Sequence, residues 1–215
     1  MKIIQDIRLY KDHSSFGDKK LNAAIHRIVM KLREQHFSLG EFDHLYINFT
    51  LCQKENSIYL SDHVDRYHPW LRNCDVGTGE ALYGRLGAPE TWDDIFALIR
   101  QVLERHFASE QFDIPRIRAC MEQALSQGEE MRMKFKEKST KTRKAVVYLR
   151  FLDSCKYRPM LQVFDMDDHL LFETDLPQAL TLDYLGDIQL SAKKVTIKPR
   201  KNAFTTRMEP LVFEY

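Results

Sequence analysis

The sequence predicts an α+β protein with three main helices, a small N-terminal sheet and a mainly antiparallel C-terminal sheet. Three observations carry this. Apolar residues recur at three-and-four spacing in three segments, beginning at Leu21, Trp92 and Ile117. From Lys144 the period changes to two, in a run dense in β-branched and aromatic residues. Between these regions lies the polar run KEKSTKTR, residues 136–143, which reads as a linker and divides the chain into a mixed α/β region, 1–138, and a mostly β region, 139–215.

Taken in order, Ile3, Ile7 and Leu9 stand among polar neighbours and suit a short strand or extended arm, broken by Ser14-Ser15-Phe16-Gly17-Asp18. From Lys19, one helical stripe holds Leu21, Ala24, Ile25, Ile28, Val29 and Leu32, with Lys20, Arg27, Lys31 and Glu34 off it, and ends near Gly40. Phe42 to Cys52 alternates Leu45, Ile47, Phe49 and Leu51 against polar residues, as a half-buried strand does, and Ser57 to Leu60 returns as its hairpin partner. Thr91 is placed to cap the helix that buries Ile95, Phe96, Ile99, Val102 and Leu103, with Asp93 and Asp94 in its first turn. A third helix starts near Asp113 to Pro115 and buries Ile117, Met121, Ala124 and Leu125. In the β region, Met160 to Phe164 and His169 to Phe172 flank an Asp165-Met166-Asp167-Asp168 turn. Ile188 to Leu190 and Val195 to Ile197 form a second pair, and Leu211 to Tyr215 a last strand.

A chain of 215 residues is long enough for one large core or two smaller ones. With 44% apolar and 29% charged residues it belongs with globular proteins, and 32 basic residues against 31 acidic ones create no global field for nucleic acid or an anionic membrane. The cysteines Cys52, Cys74, Cys120 and Cys155 are scattered, which argues for a reducing compartment and against a structural zinc site. No apolar window approaches the ~18 residues of a membrane span. The expectation is a cytoplasmic protein without a membrane partner.

The segment Ser61 to Gly87 has neither a helical nor a strand period, and function often sits on such loops. It reads as a turn-rich connector in which Gly77, Gly79, Gly84 and Gly87 supply positive φ and Trp70 is delivered towards the core. Within it, Asp75-Val76-Gly77-Thr78-Gly79 resembles the first motif of class I S-adenosylmethionine-dependent methyltransferases. That resemblance would place Asp75, Gly77 and Gly79 against the cofactor at the end of a buried strand. The preceding residues, Arg66 to Asn73, do not form the continuous apolar strand the motif requires. His63 and His68, near Asp62, Asp65 and Asp75, offer metal-binding or acid/base chemistry without an established ligand spacing.

Local charge is segregated. Arg132, Lys134, Lys136, Lys138, Lys141, Arg143 and Lys144 form a basic run that reads as a solvated helix end and linker, so nucleic acid is not the expected partner. The acidic stretch that follows supplies Asp165, Asp167, Asp168, Glu173 and Asp175 as candidate partner-binding residues. No recognised catalytic constellation is present, and no cofactor is called for.

The series of a long amphipathic helix, the strand FDHLYINFT, the segment WLRNCDVG and the helix TWDDIFALIRQVLERHF resembles small α+β immunity proteins of bacterial polymorphic and contact-dependent toxin systems. The resemblance covers about the first half of the chain. It implies a non-enzymatic protein that binds and neutralises one cognate toxin domain, with contact residues that follow the toxin. The acidic residues above would then meet a basic toxin surface, and the alternative is a methyltransferase using Asp75 to Gly79.

Overall fold

The computed structural model describes residues 1–215. The fold is α+β, and the chain forms two compact units, Met1–Gly128 and Glu129–Tyr215.

In the first unit, β1 (Asp6–Lys11) is followed by the two-residue β2 (Ser14–Ser15), which folds back on it. Helix α1 (Lys19–Glu34) then crosses over to β3 (His44–Thr50), which pairs parallel with β1. Asp18 starts α1 by accepting the Leu21 amide at 2.8 Å. β4 (Ile58–Leu60) and β5 (Leu71–Gly77) complete a five-stranded sheet in the order β2-β1-β3-β5-β4. β5 runs parallel to β3 and antiparallel to β4, filling the gap between two strands that precede it in the chain.

No strand is expected at β5 from sequence, because Arg72, Asn73 and Asp75 interrupt its apolar run. It forms because neighbours on both sides satisfy its backbone, while Cys74 and Val76 sit opposite Ile47 and Phe49 on the buried face. The connector reading of Ser61 to Gly87 is corrected accordingly, and again at α2 (Glu80–Arg85), a short helix that follows. Trp70 does not enter the core; it is 37% exposed, with His68 edge-on to its ring.

Helices α3 (Trp92–Phe107) and α4 (Ile114–Gln127) complete the unit. The buried sheet residues Ile7, Leu9, Leu45, Ile47 and Phe49 and the helical stripes of Leu21, Ile28, Ile95, Ile99, Leu103 and Ile117 form its core. α4 packs against α1 and buries a second face of it. Arg27 and Lys31, which lie off the expected stripe, are therefore buried, and Lys31 closes an ion pair with Glu34 at 2.6 Å. Thr91 is fully buried but does not cap α3 with its side chain; its Oγ1 donates to the Ala88 carbonyl at 2.7 Å. Leu125 is 38% exposed, so the core stripe of α4 ends at Ala124.

The second unit is β throughout. β6 (Met133–Ser139), β7 (Lys144–Leu149), β8 (Met160–Phe164) and β9 (Leu170–Asp175) form an antiparallel meander in that order. β10 (Ile188–Leu190), β11 (Lys194–Ile197) and β12 (Leu211–Glu214) form a second antiparallel sheet, as the sequence pattern expects. Phe172 of β9 meets Phe213 and Tyr215 with ring centroids 6.0 and 5.9 Å apart. KEKSTKTR is thus no linker. Its residues belong to β6, the turn and β7, with Glu137 opposite Val146 and Ser139 opposite Lys144. The change of unit falls at Gly128/Glu129, where α4 ends in a glycine at φ 52°, rather than after residue 138.

Candidate functional site

β5 carries Asp75, Val76 and Gly77 to the carboxyl end of a parallel strand, the edge at which open α/β sheets bind ligands. Gly79 then stands as the residue before α2. The strand that the glycine motif requires is therefore present, although its sequence hides it. The glycines serve a different need from the one expected. Of the four in this segment only Gly87 has positive φ, at 95°. A Cβ on Gly77 would lie 2.0 Å from the Lys54 carbonyl oxygen, and one on Gly79 would lie 2.5 Å from the Glu55 carboxylate. The turn between β3 and β4 is seated directly on this loop. Gly77 donates its amide to Ser57 at 2.9 Å and accepts from the Asn56 amide at 2.9 Å.

Asp75 is likewise engaged inside the fold, accepting from Asn48 Nδ2 at 2.8 Å, while Asn48 Oδ1 accepts the His13 amide at 2.9 Å. The cleft left beside the loop measures about 310 Å³, and both Glu55 and Asp94 line it. The turn carrying Lys54 and Glu55 thus takes up the space beside the backbone of both glycines.

One pair at this edge has no sequence signal. Asp12 and His13 both adopt positive φ after β1, and Asp12 accepts from the Tyr83 hydroxyl of α2. That bond holds the Asp12 carboxyl below its ordinary range and raises the Tyr83 phenol. Lys11 covers the Tyr83 ring at 4.4 Å.

The histidine and carboxylate residues of the loop do not converge. Asp65 accepts the Tyr67 and His68 amides at 2.7 and 2.8 Å, and His68 Nδ1 lies 3.3 Å from the same oxygen. The His63 amide donates to Ser61, and Asp62 reaches Arg72 at 3.7 Å. These are local turn contacts on an exposed loop.

The acidic candidates separate into three environments. At the tip of the β8–β9 hairpin, Asp165 accepts the amides of Asp167 and His169, each at 2.9 Å, and Asp168 binds Lys144. Ligand atoms of Asp165, Asp167 and His169 lie within 4.8 Å of one another, a spacing that admits a metal ion, but the Asp165 oxygens already serve the turn. Glu173, in mid-strand, accepts from Gln162. Asp175 lies between Arg150 and Arg158, with Arg158 Nη2 at 2.5 Å. Burial raises its carboxyl, but Arg158 and Arg150 together bring it below the ordinary range. It works as an internal tie, since the Arg150 side chain is only 6% exposed.

β9 is the edge strand of its sheet, and the hairpin carries Met166, Leu170 and Leu171 with 57%, 50% and 44% of their surface exposed. Spacing alone does not show this apolar patch among the acids.

The basic run is also engaged locally. Lys134 pairs with Glu137 at 3.0 Å, and Lys136 donates to the Gly186 carbonyl at 2.6 Å. No helix of the chain is long and apolar enough to cross a membrane. No protein-family model matches the chain, and comparisons with curated proteins and with solved structures give no match.

Proposed function

We propose that the chain is a protein-binding module, most concretely a cytoplasmic immunity protein that neutralises a cognate toxin domain. The observation that carries this reading is the β8–β9 hairpin. Its exposed Met166, Leu170 and Leu171 sit among Asp165, Asp167 and Asp168. An apolar centre with a charged rim is the composition of a contact surface, and the acids favour a basic partner by steering its approach. Glu173 and Asp175, both exposed, extend the acidic rim along β9, with Asp175 also tied to Arg150 and Arg158.

Co-expression with toxin domains encoded beside the gene tests the reading. One of them is expected to be bound and its toxicity suppressed. The pair Leu171→Asp and Asp167→Lys is expected to weaken that complex by more than tenfold, as loss of a central contact does. Binding to none of them, or suppression unaffected by the hairpin changes, refutes it.

The second reading, a methyltransferase, is favoured by one observation, the position of Asp75 to Gly77 at the end of a parallel strand. Against it stands the contact of Gly77 with Lys54. Calorimetric titration with S-adenosylmethionine decides between them, and saturable heat at millimolar cofactor would reinstate the enzyme.

A further inference from the structure

We propose that the first unit carries an oxyanion-binding cleft, which takes a small ligand presenting a phosphate or carboxylate group. The cleft lies at the amino-terminal edge of the parallel strands, opposite the glycine loop, and measures about 630 Å³. That volume is within the range of small-molecule sites.

Two arginines line it, and each lies over a phenyl ring. Arg72 of β5 has its guanidinium 5.0 Å from the centre of the Phe42 ring, and its side chain is 16% exposed. Arg116, in the first turn of α4, lies 4.5 Å from the centre of the Phe112 ring. A guanidinium over a ring keeps its N–H donors for other partners, and its planar fork suits carboxylate and phosphate oxygens.

Neither fork is fully spent inside the protein. Arg72 reaches only Asp62, at 3.7 Å, and that carboxylate is 95% exposed, so the pair is long and screened by water. Arg116 uses one Nη1 donor on the Gln111 carbonyl at 2.6 Å. α1 and α3 end beside the cleft, and the guanidinium charges stand against the negative ends of their dipoles. His106 also lines the space, and burial, with Arg105 and Arg72 nearby, lowers its pKa, so it stands as a neutral hydrogen-bonding group. Glu41 is the one carboxylate in the lining. Arg72, mostly buried, and Arg116, exposed on α4, thus bring two guanidinium groups to a cleft whose lining holds one carboxylate, and a bound oxyanion would accept from their remaining donors.

Isothermal titration of the full chain at constant ionic strength, with sodium phosphate, sodium acetate, AMP and adenosine in turn, tests this. Saturable binding of phosphate and AMP assigns a phosphate ligand, and binding of acetate alone assigns a carboxylate. Adenosine, which lacks the oxyanion, is expected to give no heat. Arg116→Gln, on the exposed side of α4, is expected to weaken binding roughly tenfold by removing charge-assisted hydrogen bonds. Arg72→Lys keeps the charge but loses the fork and is expected to weaken it several-fold, whereas Arg100→Gln on the outer face of α3 is expected to leave it unchanged. No saturable heat from any oxyanion up to about 10 mM, or unaltered binding by Arg116→Gln, overturns the proposal.

Discussion

Replacing Gly77 with alanine distinguishes a glycine required by packing from one required by a ligand. The new Cβ would meet the Lys54 carbonyl oxygen at 2.0 Å, whereas a carbon to oxygen contact ordinarily closes to about 3.3 Å. The turn between β3 and β4 must therefore retreat by more than about an ångström. It is tied to Gly77 by backbone bonds of 2.9 Å on both sides, from Gly77 to Ser57 and from Asn56 to Gly77. Losing both costs roughly 1 kcal/mol each, and overpacking adds about 1–3 kcal/mol, so a loss of about 3 kcal/mol or more is expected. Both tryptophans, Trp70 and Trp92, lie in the first unit, so urea unfolding followed by tryptophan fluorescence reads that unit alone. With a slope of about 1–3 kcal/mol per molar, the midpoint is expected to fall by roughly 1–3 M. Gly84→Ala is the matched control. Nothing lies within 4 Å of its Cβ position, and α2 should gain a few tenths to about 1 kcal/mol. A Gly77→Ala protein that unfolds within about 0.3 M of the parent refutes the packing account, and if it also fails to bind a ligand that the parent binds, the glycine belongs to a site.

Three other outcomes are expected. Asp175→Asn should destabilise the second unit by about 1 kcal/mol at neutral pH, because Arg150 and Arg158 both lose this carboxylate while Arg150 keeps Glu130 at 3.3 Å and Asp175 itself is part-exposed. Since the folded-state pKa of Asp175 is depressed, this contribution is present above the unfolded value near 4 and is lost as pH falls through the folded one, so parent and variant should converge in acid denaturation profiles. Burial brings the His26 pKa down to about 4; the unfolded chain then binds the extra proton between about pH 6.5 and 4, and stability should decline by roughly 3 kcal/mol as pH falls through that window. His26→Gln should flatten that slope in urea unfolding at stepped pH. Asp18→Ala removes the acceptor for the Leu21 amide and should cost about 1 kcal/mol, visible as a lower melting temperature by circular dichroism.

The helices α1, α3 and α4 are legible in sequence because each carries a stripe long enough to average out its exceptions, and the antiparallel strands after Lys144 because alternation and turn residues agree locally. The Asp165 to Asp168 turn is legible for the same reason. The exposure of its apolar neighbours Leu170 and Leu171 is not, since Leu171 falls at a bulge between the Leu170 and Phe172 pairings and only the packed fold decides which side chains stay in water. KEKSTKTR misleads because charge and polarity mark a linker equally well as an exposed hairpin.

By itself the sequence determined the α+β class, the main helices and the hairpins after Lys144, since these rest on contacts between residues close in the chain, whereas Ser57 to Leu60, expected as the hairpin partner of β3, pairs with β5 instead because β5 inserts between them. The tertiary structure alone decided β5. Leu71–Gly77 is a strand only because β3 and β4, separated from it by a turn and a long loop, offer backbone partners on both sides. The same assembly decided why Gly77 is glycine, through the Lys54 carbonyl lying against it, and it brought Arg72 and Arg116 to one cleft from elements far apart in sequence. Such features depend on long-range pairing and close packing, which local periodicity does not encode.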